Sequence, residues 1–556
     1  MGLYGCSSQP SSTYSSTPQL TPGSFPLKPE VQQASDLFSN QKVFDPWNLS
    51  STDPQRVIDV YLPANGIGNV YGNDGKLKSQ FTSGQYVGGL IANKDFPVGP
   101  APQNLGPNSF GQSLNLYYGA FSSHSNVGTS SWTTTIGAKT WPQFWQKSDI
   151  GIVGDPEAQQ VTHANMFYLA GSASKNGSIP PMGLSSIQYA GHIFWDAEIW
   201  MFPALIAQHP DLARGFIDYR FNRLKAAEAL ARKHGFKGAE YPWESAATGD
   251  EVAPEEFSHE RHITADVAYA AWQYYLWTGD KAYLESEAWP IIKDSADYWV
   301  SRATKTADGK YHIDNVIGPD ETSGTISDDA YTNAIVAQTL RDAALAAKAV
   351  GQSPDPDWKQ VADGLVLPKS ADGSHYIEYP TATDSLKAKQ ADTQMLIYPL
   401  NVAMSADCAG KTLDYALSHT ETHGPAMTDS VNAIVAAKLG RAQQSLDLFH
   451  NSYRPFMRGP WDAFSEKRST NGVYFCTGMG GCLQAVLYGF GGLHVVESGQ
   501  TGQGQLVARG TNASLWIQPH LPTGWSELTI KGVEFQGHTY DVDIKSPGSG
   551  MVTKRS

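Results

Sequence analysis

The spacing at which apolar residues recur changes twice along the 556 residues of this chain, and that feature constrains the fold more than any other. Between about residues 31 and 145, Gly, Asn and Pro separate short apolar runs at intervals that suit strands and turns. After about residue 150, apolar residues recur every three or four positions, which is the period of a helix. From about 510 to 545 they alternate, as in a strand. The chain is therefore predicted to be a multidomain α+β protein.

Two of the helical segments stop just before a glycine, Gly235 and Gly351. Glycine readily adopts the left-handed conformation that ends a helix. Many helical segments joined by long, irregular loops indicate a closed ring of paired helices rather than a simple bundle. The segments predicted to be helical are 217–231, 263–277, 289–302, 336–350, 431–439 and 480–488.

The first 30 residues are poor in apolar side chains and rich in Ser, Thr and Pro, so a disordered tether is expected there. Residues 3–6 resemble the end of a bacterial lipoprotein signal in which Cys6 becomes the lipidated first residue. The hydrophobic region that precedes such a site is missing, as if the signal were truncated. We expect a secreted, periplasmic or surface-anchored bacterial protein.

The net charge is −14, with 54 acidic against 40 basic residues, and no run of Lys or Arg occurs outside the last few residues. This balance makes nucleic acid and anionic membrane surfaces poor partners. No apolar stretch approaches the roughly 18 residues that a membrane-spanning helix requires.

The cysteines lack the paired spacing of a structural zinc site, and the sequence implies neither a metal nor another cofactor. Cys476 and Cys482 form a disulfide only if the fold brings them together; the alternative is two buried free thiols. The four cysteines are Cys6, Cys408, Cys476 and Cys482.

Two segments, 191–198 and 241–245, each place a tryptophan directly before a carboxylate. A ring that stacks on a sugar face, next to an acceptor for its hydroxyls, holds a pyranose in one orientation. Either pair alone is more often structural, but their recurrence favours a sugar site. The candidate residues are His192, Trp195, Asp196, Trp243 and Glu244.

Two further loops supply carboxylates that suit glycosidic bond cleavage. Glu321 follows a Gly-Pro turn ahead of a predicted helix, although Asp320 or Asp328 in that loop has an alternative role as a helix cap. Glu466 lies in the loop 461–468. Hydrolysis needs one acid and one carboxylate, about 6.5 to 9.5 Å apart in inverting and about 5 Å apart in retaining enzymes. The amine of Lys389 and the amide of Gln390 are candidates for binding sugar hydroxyls.

Together these segments resemble glycoside hydrolase family 65, which includes maltose, kojibiose and trehalose phosphorylases, acid trehalases and protein-glucosylgalactosylhydroxylysine glucosidase. The resemblance runs in order over about 340 residues, from 154–158 to 489–492. It implies an N-terminal β-sandwich, a helical linker, an (α/α)6 barrel and a C-terminal β layer. The expected parts are a tether at 1–30, an N-terminal β domain at 31–145, a linker at 146–185, a catalytic barrel at 186–495 and a C-terminal β domain at 496–556.

The resemblance also implies roles for the candidate residues. The glutamate of the Gly-Pro-Asp-Glu segment is the general acid of the family, which corresponds to Glu321. Phosphorylases of the family carry a Ser- and His-rich phosphate loop where this chain has 464–466. A carboxylate at Glu466 would repel phosphate and activate water instead, which favours hydrolysis. The residues that correspond to the glucose subsite are Trp195, Asp196, Trp243, Glu244, Lys389 and Gln390.

Segments 424–428 and 477–481 look most like the glucosylgalactosylhydroxylysine glucosidase branch and kojibiose hydrolase-like members. That branch removes an α-1,2-linked glucose from galactose, so an inverting hydrolase of such ends, with Glu321 as acid and Glu466 as base, is the leading hypothesis. Three alternatives stay open. A family 65 disaccharide phosphorylase would require inorganic phosphate, and a trehalase-type enzyme would differ in specificity. A non-catalytic surface glycan-binding protein would release no glucose from any disaccharide.

Overall fold

The computed structural model describes residues 141–555, apart from 174, 176, 184–187, 384, 459–461, 471–473 and 547, together with the backbone of short strands between 48 and 136. The predicted tether and Cys6 lie outside the described residues. Four of the strands form an antiparallel sheet in the order β1-β6-β7-β8, and the others pair as β2-β5 and β3-β4. These strands are β1 (Asn48–Ser51), β2 (Tyr61–Pro63), β3 (Gly68–Tyr71), β4 (Leu77–Phe81), β5 (Gln85–Val87), β6 (Phe110–Asn115), β7 (Ala120–Val127) and β8 (Ser130–Ile136).

Helices dominate the middle of the chain, as the period of three to four predicts. They are α1 (Trp141–Lys147), α2 (Pro156–Ser172), α3 (Phe202–Ile206), α4 (Pro210–Phe221), α5 (Leu224–Lys233), α6 (Ile263–Thr278), α7 (Lys281–Tyr283), α8 (Trp289–Arg302), α9 (Ala330–Ala349), α10 (Pro356–Gly364), α11 (Ala406–His419), α12 (Thr428–Lys438), α13 (Ala442–Tyr453) and α14 (Cys476–Gln484). Single turns of wider π-helix occur at Asp196–Met201, Leu284–Ala288 and Ala485–Phe490.

The burial of the helices separates inner from outer ones. Helices α6 and α9 bury residues on every face and pack against each other, because a helix that is apolar all round belongs inside a protein. Helix α5 buries one stripe, including Leu224, Ala227 and Ala231, and exposes Lys225 and Lys233. The described helices therefore include a buried set and a set with one face in solvent.

Two sheets follow the helices. Strands β14 (Leu493–Glu497), β15 (Gln505–Arg509) and β16 (Ala513–Ile517) form one, in the order β14-β16-β15. The other has the order β19-β18-β17-β9, from β17 (Glu527–Phe535), β18 (His538–Lys545), β19 (Ser549–Lys554) and β9 (Asp149–Val153). Four two-residue strands complete the set: β10 (Thr304–Lys305), β11 (Tyr311–His312), β12 (Met457–Arg458) and β13 (Ala463–Phe464).

The alternation predicted for the C-terminal part agrees with its burial. The inward-facing residues are all buried: Leu515, Ile517, Leu528, Ile530, Val533, Phe535, Tyr540, Val542 and Ile544. The region 146–185, predicted to be a helical linker, contains strand β9 followed by helix α2. That strand pairs with β17, with Ile152 opposite Leu528 and Ile150 opposite Ile530.

Cys408, Cys476 and Cys482 are buried free thiols. The Cys482 Sγ lies 3.2 Å from the Ser452 Oγ, and the Cys476 Sγ lies 3.4 Å from the Ser172 Oγ. Burial raises the pKa of Cys476 and of Cys482 to about 12.

In the part of the chain that the structure describes, no helix is long and apolar enough to cross a membrane, and no group of three or more His, Cys, Asp or Glu side chains is arranged to hold a metal ion.

Candidate active site

The two tryptophan-carboxylate loops lie side by side. The amide of Ile193 donates to the carbonyl of Ser245 at 2.9 Å, and the amide of Ser245 donates back at 3.0 Å. One residue earlier on each strand of this bridge, His192 Nδ1 lies 2.7 Å from the Glu244 Oε1. The fold therefore brings together the two segments that the sequence marks as sugar-binding, and it joins His192 to Glu244 directly.

A buried ion pair holds these two loops in place. Arg220, on α4, donates to both carboxylate oxygens of Glu198 at 2.7 and 2.9 Å, and both side chains are fully buried. The same guanidinium donates to the carbonyl of Phe194 at 3.1 Å and to the Ser245 Oγ at 3.4 Å. One cation therefore anchors both loops to the helical core.

The two tryptophans have different environments. Trp195 is only 2% exposed, and its ring meets the His262 ring edge-on with centroids 4.8 Å apart. Trp243 is partly buried, with its ring 5.1 Å from that of Phe194 and 4.9 Å from that of Phe257. Trp243 therefore retains surface that a sugar can contact, whereas Trp195 mainly shapes the wall of the site.

His262, whose ring contacts Trp195, also lies between two buried acids. Its ring nitrogens lie 3.0 Å from the Glu260 Oε1 and 2.7 Å from the Asp266 Oδ2. Burial alone would lower the pKa of the imidazole, but the two carboxylates outweigh it and raise that pKa to about 10. The pKa of Glu260 rises to about 8, mainly through burial and partly through the nearby charge of Glu321.

The Gly-Pro loop presents Glu321 at the start of a 3-10 turn, Glu321–Ser323. Asp320 caps that turn by accepting from the Thr322 amide at 3.2 Å, and it also accepts from the Lys389 amide at 2.8 Å. The Lys389 ammonium then reaches the Glu321 Oε2 at 2.5 Å. Lys389 is therefore held to the loop through both its backbone and its side chain.

The other expectations for this loop have mixed outcomes. The long helix α9 is capped by Asp329, which accepts from the Thr332 amide at 2.7 Å, and not by Asp320 or Asp328. Gln390 is buried, and its amide donates to the carbonyl of Pro319 at 2.5 Å. In this structure Gln390 supports the Gly-Pro turn from inside.

Glu466 follows strand β13, and its side chain is 7% exposed. The hydroxyl of Tyr189 donates to its Oε1 at 2.7 Å, and the Lys467 ammonium lies 4.0 Å from the same oxygen. Its backbone carbonyl accepts from the Ala426 amide at 2.8 Å. Trp461, at the start of the same predicted segment, lies outside the described residues.

Asp196 is influenced by the charges of both candidate catalytic carboxylates. Burial raises its pKa to about 7, the Thr477 hydroxyl offsets part of that rise by donating at 2.5 Å, and the negative charges of Glu466 and Glu321 add to it. Charges shift a neighbouring pKa in this way only at short range. Asp196 therefore lies within electrostatic range of both Glu321 and Glu466, which come from separate segments.

Several residues of this site were absent from the sequence-based set of candidates. Arg220 and Glu260 lack any local signal, because their partners lie far along the chain. Thr477 stood in a segment singled out only for its resemblance. Tyr189 shows one unusual feature, a positive φ of 59° just before the first tryptophan loop, but φ is a property of the folded backbone.

Comparisons with known proteins find related sequences and a related fold. The sequence matches the profile of the glycosyl hydrolase family 65 central catalytic domain over residues 161–372 and 367–483, and that of the family 65 C-terminal domain over 509–554. A kojibiose hydrolase of Mucilaginibacter mallensis is 40% identical over 413 residues, which is 73% of this chain and 58% of the relative. A protein-glucosylgalactosylhydroxylysine glucosidase of Danio rerio is 34% identical over 427 residues, 73% of this chain and 63% of the relative.

Both relatives are matched over less than two thirds of their own length. Among solved structures, one from the human microbiome, provisionally described as a kojibiose phosphorylase, superimposes with a TM-score of 0.62 at 17% identity, over 80% of this chain and 72% of the other. At that identity the likeness concerns the fold alone.

Proposed function

The chain belongs to glycosyl hydrolase family 65, and from this premise we propose that it is an inverting α-glucoside hydrolase with Glu321 as general acid and Glu466 as general base. The observation that carries the proposal is that Asp196, next to the first tryptophan, lies within range of the charges of both Glu321 and Glu466. Two carboxyl groups that flank one glycosidic bond are what hydrolysis requires.

In the proposed reaction, Glu321 gives its proton to the glycosidic oxygen as the bond from that oxygen to the anomeric carbon breaks. A water molecule attacks the anomeric carbon from the opposite face, and its proton passes to the Glu466 carboxylate. The products are glucose of inverted configuration and the free hydroxyl of the aglycone. The acid then regains a proton and the base releases one to solvent.

Lys389 has a defined part in this scheme. Its ammonium and the glycosidic oxygen would compete for the carboxyl group of Glu321, which the ammonium contacts at 2.5 Å. We expect hydroxyls of the bound glucose to take over the ammonium, so that Glu321 can turn to the leaving oxygen. Asp196 and the His192–Glu244 pair supply further polar groups for glucose.

The charge of the site supports water as the acceptor of the glucosyl group. Inorganic phosphate would have to approach Glu466 in a pocket that already contains Asp196, and like charges at short distance repel strongly in partly buried sites. Water carries no such penalty. We propose hydrolysis rather than phosphorolysis on this ground.

Family membership also guides two finer proposals. We propose that the helices between α3 and α14 close into an (α/α)6 barrel whose mouth holds the three carboxyl groups. We further propose that the substrate is an α-1,2-linked glucosyl end, as in kojibiose or glucosylgalactose, because the similar proteins from Mucilaginibacter mallensis and Danio rerio are described as acting on these compounds.

The test measures glucose release from kojibiose, nigerose, maltose, trehalose and glucosylgalactosylhydroxylysine, with and without inorganic phosphate. We expect release from kojibiose without phosphate, and NMR should show the β-anomer of glucose first. Glu321→Gln and Glu466→Gln should each lower kcat by about 10²- to 10⁴-fold while the protein stays folded.

Glu285→Gln provides the matched control, because that glutamate is 53% exposed in a surface ion pair with Lys281. It should leave kcat unchanged. Activity that survives in both site variants would refute the assignment of acid and base. An absolute need for phosphate, with glucose 1-phosphate as product, would refute hydrolysis in favour of phosphorolysis.

A further inference from the structure

We propose that Tyr189 is a positioning residue for the reaction, holding the carboxylate of Glu466 in the orientation in which it accepts the proton of the attacking water. This inference rests on the proposed function, because it assigns Tyr189 a role only if Glu466 is the base. It concerns a residue that neither the motifs of the sequence nor the comparisons single out.

The contact itself is strong and directional. The phenol oxygen of Tyr189 lies 2.7 Å from the Glu466 Oε1, and the phenol must be the donor because a carboxylate only accepts. Hydrogen bonds to an ionised carboxylate are shorter and roughly twice as strong as neutral ones. The Lys467 ammonium lies 4.0 Å from the same oxygen on a side chain that is 43% exposed, so the phenol supplies the closer restraint on the carboxyl group.

The backbone at Tyr189 has an unusual conformation. Its φ of 59° lies in the left-handed region, which bulky residues rarely adopt, and it is followed by Gly191 at φ 76°. Such conformations persist where the surroundings enforce them, and they concentrate at functional sites. Here the ring packs edge-on against Phe194, with centroids 5.4 Å apart, directly before the Trp195–Asp196 pair.

The loop of Glu466 is fixed independently of Tyr189. The buried guanidinium of Arg458 donates to the carbonyls of Lys467, Arg468 and Thr470 at 2.7, 2.8 and 2.9 Å. Arg458 therefore holds the backbone of the loop, while Tyr189 restrains the side chain of the base. Removing one hydroxyl should leave the loop in place and change only the restraint on the carboxylate.

Tyr189→Phe removes that hydroxyl and keeps the ring that packs on Phe194. We expect kcat for kojibiose to fall about tenfold to a hundredfold, the range expected when one hydrogen bond to a charged group is lost in the transition state. KM should change less than twofold, because the base acts on water and not on the bound sugar. Tyr540→Phe, a buried tyrosine of β18 in the C-terminal sheet, is the matched control and should keep wild-type kcat and KM.

A second substrate separates the base from the acid. Fluoride leaves α-glucosyl fluoride with little need for protonation, so hydrolysis of this substrate depends on the base and only weakly on the acid. Glu321→Gln should recover most of its activity on α-glucosyl fluoride. Tyr189→Phe and Glu466→Gln should both stay impaired, and Tyr189→Phe should add no further loss in the Glu466→Gln background.

The outcomes separate the two proposals. If Glu466→Gln is inactive while Tyr189→Phe keeps wild-type kcat, the role of Tyr189 is refuted and the proposed function stands. Recovery of Tyr189→Phe on the fluoride, or an additional loss in the double variant, would also refute it. If Glu466→Gln itself retains activity on both substrates, the proposed function fails, and the role of Tyr189 fails with it.

Discussion

Replacing Glu198 by glutamine is predicted to destabilise the fold and to loosen both tryptophan loops at once. Glu198 receives two hydrogen bonds from Arg220, at 2.7 and 2.9 Å, and neither side chain has contact with solvent. The substitution keeps the shape of the side chain and removes its charge. It therefore isolates the electrostatic part of the interaction.

The magnitude follows from what remains after the substitution. Arg220 stays charged and buried, and although the charge of Asp266 still acts on it, its remaining hydrogen-bond partners are neutral: the Phe194 carbonyl at 3.1 Å, the Ser245 Oγ at 3.4 Å and the oxygen of the new amide. Leaving one partner of a buried pair uncompensated costs about 3–5 kcal/mol. The amide also offers one acceptor where the carboxylate offered two. We therefore predict a loss of about 3–5 kcal/mol in the free energy of unfolding.

The assay is urea unfolding of Glu198→Gln and wild type at the same pH, with kcat measured at a temperature where both are folded. Because Arg220 anchors both loops, we expect kcat to fall in the folded variant as well. Glu285→Gln is again the control, since its partner Lys281 is 63% exposed and surface pairs contribute about 0–1 kcal/mol. A loss below about 1 kcal/mol in Glu198→Gln would refute the view that this pair anchors the site.

Three further predictions concern groups around the site. Burial raises the pKa of Asp462 to about 7 although Gln160 donates to it at 2.8 Å, so the folded state loses stability as pH rises from about 4 to 7. In urea unfolding, the free energy of unfolding of Asp462→Asn should equal that of wild type below pH 4 and exceed it above pH 7 by at most about 4 kcal/mol. If the variant and wild type were equally stable at both pH values, this prediction would be contradicted. Arg458→Lys should lower kcat and the melting temperature together, because an ammonium cannot serve the carbonyls on all sides of that guanidinium; unchanged kcat would show that the loop of Glu466 does not need it. Cys476 and Cys482 should resist alkylation at pH 8 in the native protein and react only after unfolding, whereas rapid native labelling would show that they are accessible.

Helix positions were predictable wherever local signals agreed. The segment 289–302 was predicted as a helix, and α8 covers the same residues because a buried stripe coincides with a proline in its first turn. The predicted helix 217–231 is instead two helices, α4 and α5. Arg223, between them, donates to the Tyr219 carbonyl at 2.9 Å and lies over its ring at 3.7 Å. A period of three to four residues continues through such a turn, so the pattern could not reveal the break.

Pairing between distant segments lay beyond prediction from one sequence. Strand β9 is short and belongs to a sheet whose other strands begin more than 370 residues later. The residues of β9 do not themselves indicate which strand it pairs with. Tyr189 and Glu466 are likewise separated by 277 residues, and their contact depends on the fold as a whole. Sugar chemistry, which requires rings and carboxylates, was enough to choose the residue types of the proposed site, but the partners of those residues could not be predicted.

If Asp196 binds glucose as proposed, the pH dependence of sugar binding depends on the charges of its neighbours as well. Since the pKa of Asp196 is about 7, we expect its carboxylate to accept hydrogen bonds from glucose above that pH and to be neutral below it. Glucose affinity should therefore weaken as pH falls through about 7. Burial is the largest cause of this raised pKa; hydrogen bonds from the Thr477 hydroxyl and the Asp196 backbone amide lower it, and the charges of Glu466 and Glu321 raise it. Glu466→Gln removes one repelling charge, so the pH midpoint of glucose binding, measured by calorimetry, should move to lower pH in that variant. A midpoint that stays in place would mean that Asp196 and Glu466 do not share a pocket, and the assignment of the base would lose its physical basis.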